Sequence, residues 1–273
     1  MRRSIGAVEA VSPEAAARIA ATLFFQTRRM RPGASAAFGL ARRFRVPFEG
    51  ETLAAWSWGR GPTVVLTHGW NGRATQLAPF VEPLVAAGFR VVTFDHVGHG
   101  ESTGRSTNLG QMTRALVRVA QGEERPVGLL AHSLGAAAAT LALSDGLDAW
   151  GAVLIGAPIS PEPWVAEMGR MLGLGAPTLA RAQATIESKV GRTFDEVYGP
   201  TLAARLDLPA LIVHDRADRE VPAACGERLH EAWADSRLLL TEGLGHRRVL
   251  ADDEVIAAAR DFLTLHSTKI GLE

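Results

Sequence analysis

The chain contains 273 residues, of which 47% are hydrophobic and 21% charged, and its formal net charge at pH 7 is zero. This composition is typical of a globular protein with a sizeable core, and the balanced charge argues against a general nucleic-acid-binding protein. The single cysteine, Cys225, excludes an internal disulfide and a cysteine-based metal cluster. No apolar run reaches the length of a membrane span, and Glu9, Glu14 and Arg18 interrupt any signal-peptide core. We therefore expect a cytoplasmic protein with no stable membrane insertion.

Residues 1–40 are predicted to form an N-terminal helical arm. Ser12-Pro13 is typical of a helix start, because it combines a capping hydroxyl with a proline in the first turn. The helix is predicted to extend to about Met30, with Ile19 on its apolar face. Its arginines would allow contact with an anionic membrane or a partner. A single apolar stripe favours the other interpretation, in which the arm packs against the domain.

The chain after the arm predicts an α/β protein. Two β-rich segments, Arg43–Phe48 and Thr52–Trp58, predict an antiparallel hairpin. Further predicted strands are Thr63–Thr67, Arg90–Phe94, Val127–Ala131, Ala152–Ile155, Ala210–His214 and Arg237–Thr241. The predicted helices between and after them are Thr75–Ala87, Leu109–Ala120, Leu134–Ser144, Ala223–Trp233 and Asp252–Leu265. Because these strands are apolar throughout and alternate with helices, we expect a mostly parallel central sheet with helices on both faces.

Residues 157–205 interrupt this alternation. They contain no clear strand, and they hold two helix-like stretches, around Trp164–Leu172 and Thr178–Val190. An insertion at the carboxyl edge of a parallel sheet lies over the place where such folds bind ligands. We therefore predict a small helical cap insertion within a single domain that spans residues 1–273.

Ser133 is the candidate nucleophile. Four serines fit the pattern Gly/Ala-x-Ser-x-Gly, whose small residues let the backbone pass closely through a sharp turn; they are Ser57, Ser102, Ser133 and Ser144. Ser57 precedes an Arg-Gly-Pro sequence that cannot start a helix, Ser102 precedes a polar loop, and Ser144 ends a helix. Only Ser133 has a buried-type strand before it and a helix directly after it. That context predicts a strained strand-turn-helix elbow with an exposed hydroxyl.

A serine hydroxyl needs a base to take its proton and an acid to orient that base. His246 lies in a glycine-flanked loop after the last predicted strand, where an imidazole can reach the edge of the sheet. The loop after the preceding strand offers Asp215 and Asp218 as acids. Either choice gives the order Ser, Asp, His along the chain.

The oxyanion formed by such a serine needs two backbone N–H donors. One is predicted to belong to Leu134, directly after the nucleophile at the start of a helix. The other is predicted to come from Trp70, in the glycine-containing loop that follows the strand Thr63–Thr67.

Taken together, these motifs resemble the α/β-hydrolase fold superfamily, in its serine esterase/lipase-like branch with a short helical cap. The His-Gly-Trp sequence at 68–70 resembles the family's oxyanion loop, and residues 95–102 resemble its D-x-x-G-x-G-x-S loop. Residues 131–135 resemble the nucleophile elbow, although Ala131 stands where glycine is commoner. The ordered motifs cover residues 63–265, and their joint order is more specific than any one of them.

The resemblance implies a role for several residues. It favours Asp218 over Asp215 as the acid, because Asp218 lies in a D-x-x-V-P sequence, and it favours His246 as the base. It also implies that Ser102 belongs to a structural loop. No metal and no organic cofactor is implied by chemistry of this kind.

Three further residues are candidates for the substrate pocket. His68 stands in the oxyanion loop and His132 beside the nucleophile, whereas Trp164 lies in the predicted cap, where it could line an acyl pocket. Each also has a simpler interpretation: a structural hydrogen bond for His68, local packing for His132 and ordinary cap packing for Trp164.

The other histidines carry weaker signals. His96 and His99 form an H-x-x-H pair, which without a third ligand is a weak metal signature. We interpret them as loop residues near the rim of the pocket, and we expect His266 at the surface.

The sequence thus predicts a serine hydrolase of a small or medium carboxylic ester or thioester, acting through an acyl-serine intermediate on a small-molecule acyl substrate. The same triad supports C–C hydrolysis, lactonase, perhydrolase and acyl-transfer chemistry, so the fold does not choose among them. A hypothesis from another class is a non-catalytic binding protein on a hydrolase scaffold. Its mark would be a missing triad member, and none is missing. The sequence does not predict the oligomeric state.

Overall fold

An eight-stranded sheet runs through the centre of the computed structural model, which describes residues 8–29, 36–123 and 126–269. The strands are β1 (Arg42–Phe48), β2 (Glu51–Trp58), β3 (Thr63–Thr67), β4 (Arg90–Phe94), β5 (Val127–His132), β6 (Ala149–Ile155), β7 (Ala210–Asp215) and β8 (Ser236–Thr241). Their order across the sheet is β1-β2-β4-β3-β5-β6-β7-β8. β2 pairs antiparallel with β1 and β4, and all the other pairs are parallel. The mostly parallel sheet and its N-terminal hairpin are therefore confirmed.

The helices cover both faces of this sheet. They are α1 (Pro13–Phe24), α2 (Ala36–Gly39), α3 (Val81–Ala86), α4 (Leu109–Ala120), α5 (Leu134–Ser144), α6 (Glu162–Leu172), α7 (Ala176–Val190), α8 (Gly199–Ala203), α9 (Ala224–Ala232), α10 (Gly245–Arg248) and α11 (Asp253–Lys269). One apolar layer packs α4, α5 and α9 against the sheet, and the other packs α3 and α11 against its opposite face. The two layers bury the strands from both sides, so every residue of β3 and of β5 is buried.

The helix predicted at Thr75–Ala87 is wrong in its first half. Ala74–Phe80 forms a 3₁₀-helix, and α-helical geometry begins only at Val81. Pro79 lies inside the 3₁₀ segment and has no N–H group for an α-helical hydrogen bond, so a continuous α-helix is disfavoured there.

The arm helix also differs from its prediction. Ser12 caps α1 through its hydroxyl, as expected, but α1 ends at Phe24, and Met30 lies outside the described residues. After α1 the chain turns at Phe25 and then forms an isolated antiparallel β-bridge between Gln26 and Ser106. The apolar face was assigned wrongly as well, because Ile19 is 38% exposed and a stripe of alanines is buried instead.

The chain between β6 and β7 contains α6, α7 and α8, so the two predicted cap helices are present. α6 and α7 pack against α1 and against each other in an apolar cluster separate from the two layers of the sheet. The treatment of residues 1–273 as a single domain, with 157–205 as its cap, stays a prediction. Within the described ranges, no helix is both long and apolar enough to cross a membrane.

Candidate active site

Ser133 lies on a strained turn between β5 and α5. Its backbone has φ 56° and ψ −129°, a conformation that a non-glycine residue rarely adopts. A Cβ atom on Gly135 would come within 2.5 Å of the His68 carbonyl oxygen and 2.8 Å of that of Thr67. The neighbouring loop thus passes so close to the turn that only glycine fits at this position. The predicted elbow geometry is present.

The other serines with the same pattern lie in different settings. The Ser102 hydroxyl is buried, donates a hydrogen bond to the Asp95 carbonyl oxygen at 2.5 Å and accepts one from the Ala54 N–H at 2.9 Å. Ser57 is buried within β2, and Ser144 is the last residue of α5. Only Ser133 stands between a strand and a helix, as the sequence context predicts.

Parallel strands bring the other predicted catalytic residues to the same edge as Ser133. The Ser133 Oγ lies 2.9 Å from His246 Nε2, and His246 Nδ1 lies 2.6 Å from Asp218 Oδ2. Asp218 follows β7 and His246 follows β8, so both side chains leave the carboxyl ends of their strands. The three residues therefore form one continuous hydrogen-bonded chain.

Asp218 is held in place and kept ionised by its surroundings. Its second oxygen, Oδ1, accepts hydrogen bonds from the backbone N–H groups of Glu220 at 2.8 Å and Val221 at 2.9 Å. Burial alone would raise the pKa of this carboxyl, but the His214 and His246 rings together with the Val221 N–H lower the pKa below its ordinary value. A carboxylate that stays charged can orient the His246 imidazole and stabilise its protonated form.

Asp215, the alternative acid, has another set of partners. Its carboxylate accepts hydrogen bonds from the N–H groups of Ala217, Leu244 and Gly245 and from the Thr241 hydroxyl. Burial raises the pKa of Asp215, but these donors outweigh burial and lower it overall. Because two of the donors, Leu244 and Gly245, immediately precede His246, Asp215 anchors the loop that carries His246.

The loop of the candidate oxyanion donors lies directly beside Ser133. A Cβ atom on Gly69 would be 2.6 Å from Ser133 Cβ and 3.0 Å from Ser133 Oγ. Trp70 is the next residue of this loop, and Leu134 is the first residue of α5. Within the described residues, no protein acceptor pairs with either of the two N–H groups. They are available to a substrate oxygen, although their role as oxyanion donors stays a prediction.

The side chains of His68, His96 and His99 are buried. The prediction that His96 and His99 lie at the rim of the pocket is therefore wrong. All three rings have zero exposure. His68 Nδ1 donates to the Gly69 carbonyl oxygen at 2.7 Å, and His99 Nε2 accepts from the Asn71 N–H at 3.0 Å. These two bonds hold the oxyanion loop, and a cavity-lining role for His68 is not seen. The structural interpretation of His68 fits its contacts.

Burial also keeps this cluster neutral. Desolvation lowers the pKa of His68 to about 4 and that of His99 to about 3, and it lowers the pKa of His96 well below its ordinary value. A neutral imidazole can accept a hydrogen bond on one nitrogen, as the bond from Asn71 N–H to His99 requires. Asp95, which also lies in this region, has its pKa raised to about 6 by burial.

His132 lines the cavity in front of Ser133 and also contacts His246. Its Nε2 donates to the backbone carbonyl oxygen of His246 at 2.9 Å, and the two rings lie 4.6 Å apart. Burial, followed by the proximity of His246, lowers the pKa of His132 to about 3.

The prediction that His266 lies at the surface is wrong, because this residue is only 8% exposed and its ring lies against Phe262.

A cavity of about 420 Å³ opens in front of the triad. Ser133, His246, Trp70 and Leu134 contribute to its wall, and Trp164 lines it from the cap, as predicted, while remaining 39% exposed. Sequence reasoning missed the remaining apolar wall, which includes Phe24, Phe25, Ile186, Val190, Phe194 and Val197. These residues belong to no motif, so no local signal in the sequence identifies them as cavity residues. Across the described ranges, no group of three or more His, Cys, Asp or Glu side chains is placed to hold a metal ion.

The strand order, the elbow and the cavity at the carboxyl edge define an enzyme of the α/β-hydrolase class. The solved structure of the Pyrococcus furiosus esterase Pf2001 superposes with a TM-score of 0.67 and 18% identity over 89% of this chain and 98% of that one. A putative lipase from Acinetobacter baumannii superposes with a TM-score of 0.66 and 16% identity over 88% of this chain and 100% of the other. At these identities the likeness concerns the fold.

The sequence comparisons identify the family. The sequence pattern of the family described as "Serine aminopeptidase, S33" matches residues 61–198, and the chain belongs to this family. The human protein ABHD12B is 27% identical over 223 residues, which are 74% of this chain and 60% of that protein. The chain thus spans less than two thirds of this relative's length.

Proposed function

We propose that the protein is a serine hydrolase that cleaves a small or medium carboxylic ester or thioester through an acyl-serine intermediate. The observation that carries this proposal is the continuous chain from Ser133 Oγ through His246 to Asp218, with bonds of 2.9 and 2.6 Å, at the wall of an apolar cavity. Nucleophile, base and orienting acid are in hydrogen-bond reach of one another, as acyl transfer requires.

In the first half-reaction, Ser133 Oγ attacks the substrate carbonyl carbon while His246 Nε2 takes the hydroxyl proton. The Asp218 carboxylate stabilises the imidazolium that forms. The N–H groups of Trp70 and Leu134 donate hydrogen bonds to the oxyanion of the tetrahedral intermediate. When the intermediate collapses, the bond to the leaving group breaks, and the alcohol or thiol leaves with the proton from His246.

The second half-reaction uses the same groups in reverse. His246 takes a proton from water as the water oxygen attacks the acyl-serine carbonyl carbon, and the same N–H donors stabilise the second oxyanion. The bond to Ser133 Oγ then breaks, His246 returns its proton to that oxygen, and the carboxylic acid leaves.

The charges around the cavity favour an ester over a peptide with a free amino terminus. Such a peptide presents an ammonium group, which is bound best by an unpaired carboxylate. Glu220 is the one carboxylate among the described lining residues, and it already forms an ion pair with Arg247 at 3.2 Å. The rest of the lining is mostly apolar, which suits an uncharged acyl group.

The test is the substitution Ser133→Ala. We expect it to abolish both the hydrolysis of short p-nitrophenyl esters and labelling by a fluorophosphonate, because the attacking oxygen is gone. Ser144→Ala is the matched control, since Ser144 shares the sequence pattern but lies at the end of α5, and it should keep both activities. Undiminished labelling of Ser133→Ala would refute the assignment of the nucleophile.

The alternative chemistries are separated by their products. Lactonase, perhydrolase, C–C hydrolase and acyl-transfer reactions would share the loss of labelling in Ser133→Ala but would show a preferred substrate or acceptor other than an ester and water. A binding protein on this scaffold would show no labelling in the wild type. The 2.9 Å contact between Ser133 and His246 argues against that last possibility.

A further inference from the structure

The N-terminal arm reaches the candidate active site. Phe24 and Phe25, at the end of α1, line the same cavity as Ser133 and His246, and so does Arg28. The arm therefore contributes to the space that a substrate would occupy. The arm lies outside residues 61–198, the part of the chain that the family pattern matches.

One face of the arm is built to lie close to the cap. Ala16, Ala17, Ala20 and Ala21 are completely buried, in a cluster with cap side chains that include Ile186 and Phe194. Alanine side chains let two helices approach closely, because little volume separates the backbones. Since Ile186 and Phe194 also line the cavity, the arm and the cap form its apolar wall together.

The segment after α1, Phe25–Arg29, is fixed to the sheet edge. Thr27 Oγ1 donates to the Gly98 carbonyl oxygen at 2.9 Å, and the Arg28 N–H donates to Asn71 Oδ1 at 2.8 Å. The Arg29 guanidinium donates to the Ser102 carbonyl oxygen at 2.7 Å. This segment therefore holds the end of α1 at a defined position over the oxyanion loop, to which Asn71 belongs.

We propose that the arm is one wall of an acyl-binding pocket and that the substrate carries an apolar acyl chain of medium length. This inference rests on the proposed function. The cavity of about 420 Å³ lies near the lower end of the ~300–1,000 Å³ range of small-molecule sites, so it suits a medium chain and not a bulky triacylglycerol. Each methylene buried in it contributes about 0.8 kcal/mol, or about fourfold in kcat/KM.

The experiment measures kcat/KM for p-nitrophenyl esters from acetyl to dodecanoyl in the full-length wild type, Phe24→Ala, Phe24→Trp and Ile19→Ala. Phe24 is half-buried at the cavity, so truncation admits water to the acyl chain and a larger ring narrows the pocket. Ile19→Ala is the matched control, because Ile19 is also on α1 but is 38% exposed and does not line the cavity. Fluorophosphonate labelling gives the active fraction of each preparation, and melting curves show whether each variant is folded.

In the wild type we expect kcat/KM to rise from acetyl to about octanoyl and then to fall. We expect the octanoyl-to-acetyl ratio to drop about fifteenfold in Phe24→Ala, the loss of roughly two buried methylenes. The ratio should also drop in Phe24→Trp but stay at the wild-type value in Ile19→Ala. Ratios in both Phe24 variants equal to that of Ile19→Ala would overturn the inference while the proposed function stood. Absence of any Ser133-dependent ester hydrolysis in the wild type would instead refute the proposed function itself.

Discussion

The carboxyl edge of the sheet is held together mainly by hydrogen bonds. The helices α1, α6 and α7 of the arm and the cap, which we call the roof of the cavity, are held together mainly by apolar packing. At the edge, polar side chains are fixed one by one, as when Asp218 holds His246 at 2.6 Å and His99 holds the Asn71 N–H at 3.0 Å. The roof contains α1, α6 and α7, which meet through buried alanines and aliphatic side chains. Hydrogen bonds demand particular residues at particular distances, whereas apolar packing accepts many residues of similar volume.

The difference between hydrogen-bonded and apolar contacts predicts that the catalytic rate and the substrate preference depend on different parts of the molecule. Fixed polar contacts set the chemistry, because a misplaced donor or base no longer reaches the reacting atoms. The roof forms much of the apolar wall of the cavity, and by the inference above it selects among substrates. Substitutions at the edge should therefore reduce kcat for every ester, whereas substitutions in the roof should change the preference among esters, as the Phe24 variants test.

The largest effect at the edge is expected for Asp218→Asn. An amide in place of this carboxylate cannot stabilise the His246 imidazolium and favours the wrong tautomer of the ring, so we expect kcat to fall by about 10⁴-fold. Steady-state kinetics with p-nitrophenyl butyrate measures this loss.

Asp215→Asn is the control, because Asp215 lies three positions earlier along the same loop but accepts its bonds from Ala217, Thr241, Leu244 and Gly245. Its main effect should be a loss of about 1–3 kcal/mol in the free energy of unfolding, since buried donors lose a charged acceptor. If Asp215→Asn lost more kcat than Asp218→Asn, the assignment of the two acids would have to be exchanged.

A smaller effect is expected for Gly135→Ala. The added methyl group would meet the His68 carbonyl oxygen at 2.5 Å, so the oxyanion loop must shift and carry the Trp70 N–H with it. We expect kcat to fall by about 10²–10³-fold, the cost of losing one oxyanion donor.

Gly151→Ala, on β6, provides the comparison for Gly135→Ala. Its added methyl group would meet nothing closer than 3.6 Å, the distance to Phe262 Cε1, so kcat should be retained. An unchanged kcat in Gly135→Ala would show that the loop is not held against the elbow.

The sequence predicted the carboxyl edge better than the roof, because specific polar contacts require particular residues whereas apolar packing accepts many. The strands β3 and β4 and the helices α4 and α5 agree with their predicted bounds, because buried apolar strands and helix caps are local signals. Ser133 and His246 were predicted because acyl transfer restricts both residue types and their order. The same reasoning left Asp215 and Asp218 open, and only the resemblance of the D-x-x-V-P sequence favoured Asp218, which the structure places beside His246.

The parts that were missed depend on tertiary packing. The buried alanine stripe of α1 has no periodic signal strong enough to outweigh Ile19, because alanines suit many environments and become decisive only beside α7. Likewise, nothing in the sequence around His96 or His99 distinguishes a buried ring from one at the pocket rim. Pro79 disfavours a continuous α-helix through Ala74–Phe80, but a proline alone does not predict 3₁₀ geometry, since Pro83 lies within the α-helix Val81–Ala86.

The last prediction concerns acid, which should have little effect near neutral pH. The response to acid also separates the carboxyl edge from the roof most directly. His68 and His99 have pKa values of about 4 and 3 in the folded protein, below the ordinary value near 6.5. Their contribution to stability is thus fully present above about pH 6.5 and is lost as pH falls toward the folded pKa values, because the unfolded chain takes up protons first. Asp95, with its pKa raised to about 6, acts in the opposite direction but is a single group.

We therefore expect the free energy of unfolding to decrease between pH 6.5 and pH 4 by about 1.4 kcal/mol per pH unit for each net proton that unfolding takes up. The melting temperature should decrease steadily over the same range. The roof helices α1, α6 and α7 contain no histidine. The arm does carry the Glu9 carboxylate, which accepts a hydrogen bond from the Gly175 N–H of the cap at 2.8 Å, and hydrogen bonds from Thr178 and Gly175 lower its pKa below the ordinary value. Acid should therefore disturb the oxyanion loop at a higher pH than it disturbs the packing of the arm on the cap. Melting curves across this range, together with kcat and the octanoyl-to-acetyl ratio, test both parts. A loss of chain-length preference at a higher pH than the loss of kcat would contradict this order, because it would place the acid-sensitive contacts in the roof.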